Sequence, residues 1–466
     1  MHTDEAVNAY IVGQVLADNA FQYDAQDRHG PALVALALPL ARLQGAKTFS
    51  DLTEPELRMT TVLAGTLTIL LFDPAVEMFG FVPCLIAALL FAGASLPVYY
   101  NRFFIHESVF VAATFGLILA GWRACKRNSV LLVVLASCCA ALMVACKETA
   151  VLHFVSLGAA ACLCRVWNKR KRRFARLWQW KTALAAAAAF LLVNVLLFTW
   201  FGRRWQALAA LLHAAPNLFA RAGGQGHEKP FWYYARLLGG GWSGGAICAL
   251  ACIGLILAFR RSAPVPYRFL ALYALFIFSF YSLIPYKTPW LALNFCLPIA
   301  LFAGLAIFSL WRLPTKYPAL PAALPAFLIR AIVAAGALTA AVLIGVDSRE
   351  WVFVHPFEET NPYAYAHTSV DLLGLPGEIE DLARKDAIAN PRIAVIAADP
   401  WPLPWYLRRF TKTGFWQPGQ EVGVADFYIT STEAAGQYSD RLKDFRPEFF
   451  GVRPGLLIIL WSSTPK

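Results

Sequence analysis

The chain has 466 residues, of which 58% are hydrophobic and only 15% are charged. Charged residues make up about a quarter of an ordinary soluble protein, so this composition excludes a soluble globular protein. The formal net charge of +12 does not indicate nucleic acid as a partner, because the basic residues cluster in short loops between apolar runs, where they determine membrane topology.

The first 58 residues contain no apolar run that is long enough to cross a membrane. They begin with an acidic pair, Asp4-Glu5, and their most apolar stretch is "PALVALALPLARL" at 31–43. A run of this length predicts an interfacial or re-entrant helix. We therefore expect residues 1–58 to form a first loop that carries interfacial helices.

Longer apolar runs recur from this point up to residue 346, and they approach the length needed to cross a hydrocarbon core of ~30 Å. They predict an α-helical polytopic membrane protein with a transmembrane domain at 59–346. The ten predicted spans are 59–72, 79–100, 108–122, 129–146, 149–164, 182–201, 244–259, 268–284, 290–310 and 326–346.

Basic residues in the connecting loops predict the orientation of these spans. The loop at 165–181 holds eight basic residues and no acid, and the loops at 123–128, 260–268 and 312–316 are also basic. With ten spans, all four loops fall on one face, which is then cytoplasmic. The loop at 1–58 and the region after 346 lie on the outer face. The turn predicted at 73–78 is an exception, because it lies on the cytoplasmic face but carries two acids and no base.

An outer N-terminus requires an explanation, because no signal peptide or transmembrane helix precedes Asp4. The interpretation that we favour is a missing first helix, so that the acidic pair begins the first outer loop. The alternative is a short N-terminus that crosses the membrane after synthesis.

After residue 346 the long apolar runs stop, and acidic residues, proline and asparagine become more frequent. Short apolar stretches at 392–399, 426–431 and 455–461 predict strands, and helices are predicted at 369–385 and 433–443. Residues 347–466 are therefore expected to form a small extracytoplasmic α/β domain. None of the ten cysteines lies after residue 296. All of them lie in or beside apolar runs, where a thiol packs as a small apolar group.

Charged residues lie directly at the outer ends of the predicted helices, where the membrane makes them costly. We predict that they line one cavity at the outer membrane edge: Asp4, Glu5, Arg102, His106, Glu107, Lys147, Glu148 and Lys287. Cations of this kind stabilise a phosphate, Arg by a bidentate fork and Lys as a point charge. A carboxylate can take the proton of an acceptor hydroxyl. Transfer of a sugar from a phosphate-linked lipid requires both functions.

Each of these residues also has a purely structural interpretation. Basic side chains at helix ends extend to the interface, Lys147-Glu148 could be a local ion pair of little energetic weight, and Asp4-Glu5 could be solvated. The aromatic stretches at 231–234 and 286–290 are typical of an interfacial belt. The joint occurrence of the charges at one edge is what favours a functional site.

Several stretches, in their order along the chain, resemble the GT-C membrane glycosyltransferases. They are "MHTDEAVNAY" (1–10), "YDAQDRHGPALVALALPL" (23–40), "YYNRFFIHES" (99–108), "KET" (147–149) and "YKTPWL" (286–291). They are most similar to the family labelled flippase activity-associated protein, which is related to the protein O-mannosyltransferases and lipid A aminoarabinose transferases of glycosyltransferase family 39. The C-terminal stretches "NPYAYAHTSVDLLGL" (361–375), "WPLPWYLRR" (401–409) and "VRPGLLIILW" (452–461) resemble signatures of the same family.

The resemblance implies a GT-C fold in which the first outer loop carries the catalytic acid and a polyprenyl phosphate carries the sugar. Asp4 and Glu5 match the family's acidic pair, and Asp4 is the predicted base. His29 lies where related transferases have a Lys-Pro-Pro-like element. The donor phosphate is expected to be bound by Arg102, Lys147, Lys287 and His29. The expected supporting residues are His106, Glu107, Glu148 and Trp290. No metal or other cofactor is expected.

The predicted function is therefore transfer of a sugar from a polyprenyl-phosphate donor to an extracytoplasmic glycan, lipid or protein, with inversion at the anomeric carbon. The enzyme would lie in the inner (cytoplasmic) membrane. One alternative is a lipid-linked oligosaccharide flippase or a non-catalytic accessory to one, although a transporter often shows an internal repeat and this sequence shows none. Another is a scaffold for envelope assembly, for which the acidic pair would be dispensable.

Overall fold

The computed structural model describes residues 1–24, 29–168, 179–212, 223, 226–316 and 325–463. Residues 169–178 of the predicted basic loop therefore lie outside the described part of the chain. The protein forms two compact units. The first unit contains Met1–Asn19, Ala37–Leu57 and Phe357–Lys466, and the second contains Ala20–Leu36 and Arg58–Pro356. The segment at 1–58 is thus divided between the two units.

The second unit is a bundle of apolar helices. Within the described residues, eight helices are long and apolar enough to cross a membrane: Glu54–Phe79, Glu107–Arg127, Ala150–Trp167, Trp180–Phe198, Gly241–Ala258, Val265–Leu283, Pro289–Trp311 and Ala326–Val354. Shorter apolar helices are Ala32–Leu43, Phe81–Gly93 and Val130–Cys146. The remaining short helices of this unit are Ser95–Tyr100, Ala207–Leu212, Tyr233–Gly239 and Leu313–Lys316.

The predicted α-helical polytopic membrane protein is confirmed, since each of the ten predicted spans corresponds to a helix. The spans at 79–100 and 129–146 contain the two shorter helices Phe81–Gly93 and Val130–Cys146. The turn predicted at 73–78 is wrong, because Phe72–Phe79 is helical. The turn was predicted between the apolar runs 59–72 and 79–100, and its two acids did not fit the cytoplasmic face. The structure gives one of these acids basic partners from helix Glu107–Arg127.

Glu77 is the acid that has these partners. Its carboxylate lies 2.8 Å from Arg123, 3.0 Å from Lys126 and 3.1 Å from Arg127. The loop predicted at 123–128 is in fact helical up to Arg127. Three cations from the C-terminal end of helix Glu107–Arg127 therefore compensate one carboxylate. This pairing explains how an acid can lie on the basic face of the bundle.

The helix at Pro289–Trp311 occupies the centre of the second unit. In the most apolar 18-residue stretch of this helix, 78% is buried inside the protein. Only 6% of the corresponding stretch of Ala326–Val354 is buried. Glycines allow the central helix to approach its neighbours closely. A Cβ at Gly254 would overlap the carbonyl of Phe302, and a Cβ at Gly304 would overlap the carbonyl of Pro83. Small residues allow close packing of this kind between membrane helices.

The first unit contains a five-stranded sheet. Its strands are β1 (Arg392–Ile396), β2 (Lys412–Trp416), β3 (Phe427–Ser431), β4 (Phe445–Arg453) and β5 (Leu456–Ser463). Their order is β2-β1-β3-β5-β4, with β1 parallel to both of its neighbours and β5 antiparallel to both of its neighbours. The helices around the sheet are Leu375–Lys385, Leu403–Tyr406, Thr432–Ala435 and Ser439–Leu442.

The predicted α/β domain is thus confirmed, and the sheet includes two strands that the sequence did not predict. Strands β2 and β4 lie at the two edges, and no residue of β2 and only two of the nine residues of β4 are buried. Edge strands of this kind lack the continuous apolar run that identifies a buried strand such as β1.

The N-terminal helix Thr3–Asp18 belongs to the same unit. A capping box forms its start, because the Asp4 N–H donates to His2 Nδ1 at 3.1 Å and the His2 N–H donates to Glu5 Oε2 at 2.9 Å. The helix packs against segment Phe49–Asp51. A Cβ at Gly13 would lie 2.6 Å from Phe49 Cβ, so only glycine fits at this contact.

Candidate functional site

The predicted catalytic pair lies on the first turn of the N-terminal helix, and its two carboxylates are in different environments. Glu5 is fully buried, and its Oε2 accepts the backbone N–H of His2. Asp4 is half-buried, and within the described residues no hydrogen bond or ion pair of its carboxylate is found. Of the two, Asp4 therefore has the carboxylate that a substrate can reach.

A C-terminal segment of the same unit holds this helix start in place. His2 Nε2 lies 2.6 Å from the carbonyl oxygen of Tyr365, and the His2 ring lies 5.0 Å from the ring of His367. The Thr368 hydroxyl donates to the carbonyl of Met1 at 2.5 Å. The stretch at 361–375, singled out in the sequence as a signature, therefore positions the helix turn that carries Asp4.

The second unit holds a buried ion pair at the junction of two helices. Lys147 follows Val130–Cys146, and Glu107 is the first residue of Glu107–Arg127. Their Nζ and Oε1 atoms are 2.5 Å apart, and both residues are buried. Burial disfavours the Lys147 ammonium, but the neighbouring carboxylate outweighs this effect and raises the pKa of Lys147. The partner of Lys147 is therefore Glu107 and not the adjacent Glu148.

A second pair of ionisable side chains adjoins the first. His29 Nδ1 lies 3.0 Å from Glu148 Oε2, and the His29 ring makes an edge contact with His106 at 5.1 Å. Burial disfavours ionised Glu148, but His29 outweighs it and lowers the pKa of Glu148 to about 2. Burial, and then the neighbouring His29 and Lys147, hold the pKa of His106 well below its ordinary value. A neutral imidazole therefore lies among the charged side chains.

Glycine at position 30 allows His29 to reach this cluster. The Gly30 N–H donates to the carbonyl of Cys146 at 3.3 Å. A Cβ on Gly30 would overlap the carbonyl of Ala145. The "HGP" element thus has a physical reason, since any side chain at its glycine would move His29 away from Glu148.

Lys287 lies just before the central helix and Trp290 lies in its first turn, and both are buried. Lys287 is only 1% exposed, and its ammonium donates to the carbonyls of Ile284 at 2.5 Å and Lys229 at 3.1 Å. Burial lowers the pKa of Lys287. The adjacent Tyr286 is among the groups that raise the pKa of Lys147.

Arg102 lies in a third environment. Its guanidinium donates to the carbonyl of Val352 at 3.0 Å and stacks on the ring of Phe353 at 4.6 Å. Its side chain is exposed, so part of the guanidinium fork is accessible to an anion.

The structure thus brings five of the predicted site residues together in the second unit: His29, His106, Glu107, Lys147 and Glu148. Lys287 bonds to the carbonyls of Ile284 and Lys229 instead, Arg102 contacts the end of another helix, and Asp4 and Glu5 belong to the first unit. A single cavity lined by all of these groups remains a prediction. Among the described residues, no group of three or more His, Cys, Asp and Glu side chains is arranged to hold a metal ion.

Sequence reasoning missed a buried polar network beside this cluster. The ring nitrogens of His153 lie 2.8 Å from the Tyr273 hydroxyl and 3.3 Å from the Tyr281 hydroxyl. Tyr281 in turn interacts electrostatically with Lys147. The signal available in the sequence was His153, an ionisable residue inside an apolar run. Ionisable residues in membrane helices commonly mark functional sites.

Comparisons with known proteins agree with the architecture. A family model described as dolichyl-phosphate-mannose-protein mannosyltransferase matches residues 42–218. A search of curated proteins with the sequence finds no match.

Among solved structures, ArnT from Cupriavidus metallidurans in the apo state has a TM-score of 0.67 at 13% identity, covering 98% of this chain and 93% of that one. The same protein bound to undecaprenyl phosphate has a TM-score of 0.65 at 14% identity, with coverage of 98% and 93%. The archaeal oligosaccharyltransferase AglB from Archaeoglobus fulgidus, in complex with an inhibitory peptide and a dolichol-phosphate, has a TM-score of 0.55 at 14% identity. The corresponding coverage is 99% and 70%.

The protein is therefore an integral membrane protein with the GT-C fold, as the sequence predicted. The predicted resemblance to the GT-C glycosyltransferases related to family 39 is confirmed by this shared fold and by the matched segment.

Proposed function

We propose that this protein is a membrane glycosyltransferase that moves a sugar from a polyprenyl-phosphate donor to an acceptor outside the cytoplasm. The observation that carries the proposal is the half-buried Asp4 carboxylate on a helix turn that other segments hold in place. A polyprenyl donor is supported by the shared fold, because ArnT binds undecaprenyl phosphate and AglB binds a dolichol-phosphate.

In this proposal Asp4 is the general base. It takes the proton of the acceptor hydroxyl, and the acceptor oxygen then attacks the anomeric carbon of the sugar. The bond from that carbon to the phosphate oxygen breaks, and its electron pair leaves with the polyprenyl phosphate. Attack from the face opposite the leaving group inverts the anomeric configuration.

Cations stabilise the negative charge that develops on the leaving phosphate. The accessible candidates are His29, whose side chain is 33% exposed, and the exposed guanidinium of Arg102. Lys147 is paired with Glu107, but an ammonium has three N–H donors and serves a phosphate and a carboxylate together. Glu5 caps the helix and thereby keeps Asp4 in place.

Substitution of Asp4 tests the base directly. We expect Asp4→Asn to lower transfer from a polyprenyl-phosphate sugar by ~10²-fold or more, because a general base contributes ~10²–10⁴-fold. Binding of polyprenyl phosphate should be retained. The measurement is transfer of radiolabelled sugar in membranes that contain the protein, over a panel of polyprenyl-phosphate sugars.

Asp18→Asn is the matched control, because Asp18 is an exposed carboxylate at the end of the same helix. It should transfer sugar at the parent rate. Transfer by Asp4→Asn at that rate would remove Asp4 from the mechanism. Movement of the lipid-linked sugar across the membrane without any transfer would favour the flippase alternative.

A further inference from the structure

Two segments that are distant in the chain pair with each other in the second unit. The Lys229 N–H donates to the carbonyl of Pro285 at 3.1 Å, and the Lys287 N–H donates to the carbonyl of His227 at 3.0 Å. Between these bonds, Glu228 and Tyr286 form an isolated antiparallel bridge. So short a pairing is marginal in isolation, since even a complete two-stranded hairpin is at best marginally stable.

The side chain of Lys287 adds a second connection between the same segments. Its ammonium donates to the carbonyl of Lys229 on one segment and to the carbonyl of Ile284 on the other. Hydrogen bonds from a charged donor are stronger than those between neutral groups. Lys287 as a whole is 1% exposed, so these hydrogen bonds lie away from bulk water. Two of its three N–H donors are therefore engaged inside the protein.

This pairing places Tyr286 against His227. The ring of Tyr286 lies 4.9 Å from the ring of His227, on the partner segment. Tyr286 is also among the groups that raise the pKa of Lys147, the partner of Glu107. Separation of segments 226–230 and 284–287 would release Tyr286 from this position.

We infer that Lys287 is a positioning residue that joins segments 226–230 and 284–287 and so holds Tyr286 against His227. It does not bind the donor phosphate, because its ammonium is buried and already bonded to backbone carbonyls. The effect of Lys287 on sugar transfer rests on the proposed function, whereas the pairing of the two segments does not.

Lys287→Met tests the inference, since methionine retains an unbranched side chain but lacks the ammonium. Hydrogen–deuterium exchange of the purified protein in detergent measures the amides of Lys229 and Lys287. We expect both to exchange at least tenfold faster in the variant than in the parent. Arg236→Met is the control, because it removes an exposed cation from the nearby helix Tyr233–Gly239, and it should leave both rates unchanged.

Kinetics then separate positioning from phosphate binding. For Lys287→Met we expect kcat of sugar transfer to fall at least tenfold while KM for the donor stays within twofold. Unchanged exchange together with a tenfold rise in the donor KM would overturn the inference and make Lys287 a phosphate ligand. If the parent protein transfers no sugar, the proposed function fails, and the exchange rates still decide whether Lys287 joins the segments.

The parent protein alone provides a further measurement in case the variant does not fold. The amides of Lys229 and Lys287 should exchange at least tenfold more slowly than in an unstructured peptide. Exchange at the unstructured rate would show that the segments are not joined, and the inference would be wrong.

Discussion

At the scale of single residues, the site consists of charged side chains that pair with each other inside the protein, where water does not solvate them. Removal of one partner of a buried ion pair typically costs ~3–5 kcal/mol, because it leaves an uncompensated charge. The Lys147–Glu107 pair therefore holds two helix ends together as well as presenting an ammonium. The His29–Glu148 pair is more accessible, with side-chain exposures of 33% and 16%.

His106 should make the protein sensitive to acid. Its folded-state pKa lies well below the ordinary value near 6.5, so below that pH the unfolded state binds a proton that the folded state does not. Stability must then fall as the pH falls from about 6.5. We expect His106→Asn to flatten the decline of the thermal midpoint between about pH 6.5 and pH 5, measured in detergent.

Glu148 does not contribute in that range, because its pKa is lowered to about 2 and its stabilising effect is lost only below its ordinary value near 4.5. His227→Asn is the control, since His227 is a half-buried histidine outside the cluster. An unchanged pH dependence in His106→Asn would mean that another group is responsible for the acid sensitivity.

At the scale of helices, close packing in the second unit depends on glycine. Gly254→Ala should destabilise the protein by ~1–3 kcal/mol, the usual cost of overpacking, because its Cβ would overlap the Phe302 carbonyl of the central helix. The measurement is the thermal midpoint in detergent.

Gly336→Ala provides the comparison, because a Cβ at this helical glycine meets no atom within 4 Å. Alanine favours a helix over glycine by ~1 kcal/mol, so this variant should be as stable as the parent or more stable. If both substitutions stabilise the protein equally, the contact with Phe302 does not restrict position 254 to glycine.

At the scale of the whole molecule, the two ends of the bundle differ in charge. Helix Glu107–Arg127 has 21 residues and therefore spans ~31 Å at 1.5 Å per residue, close to the ~30 Å hydrocarbon thickness. Its first residue pairs with Lys147, and its C-terminal end carries the cations that pair with Glu77. The positive-inside rule predicts that the Glu77 end is cytoplasmic.

Cysteine labelling tests this orientation. Cys125 is exposed beside the Glu77 cluster, and Val424 is 73% exposed in the first unit. In a background without the other cysteines, a membrane-impermeant maleimide should label Val424→Cys in intact cells. Cys125 should react only after the membrane is opened. The reverse pattern would invert the proposed topology and move the proposed reaction to the cytoplasmic face.

The sequence by itself determined the class of protein, the positions of nearly all membrane helices and the presence of an α/β domain. These features are local, since hydropathy and periodicity belong to one continuous stretch. The error at 73–78 arose where a local signal was misleading, because partners that neutralise Glu77 lie 46 and 50 residues further along the chain.

Only the tertiary structure decided which charges meet. Lys147 pairs with Glu107, 40 residues away, and not with its neighbour Glu148, which pairs with His29 at a separation of 119 residues. The tertiary structure also gave Lys287 two carbonyl partners and joined His2 to Tyr365. Residue types suggest a site, but an ion pair or a hydrogen bond depends on where the rest of the chain brings its partner, and no local pattern contains that information.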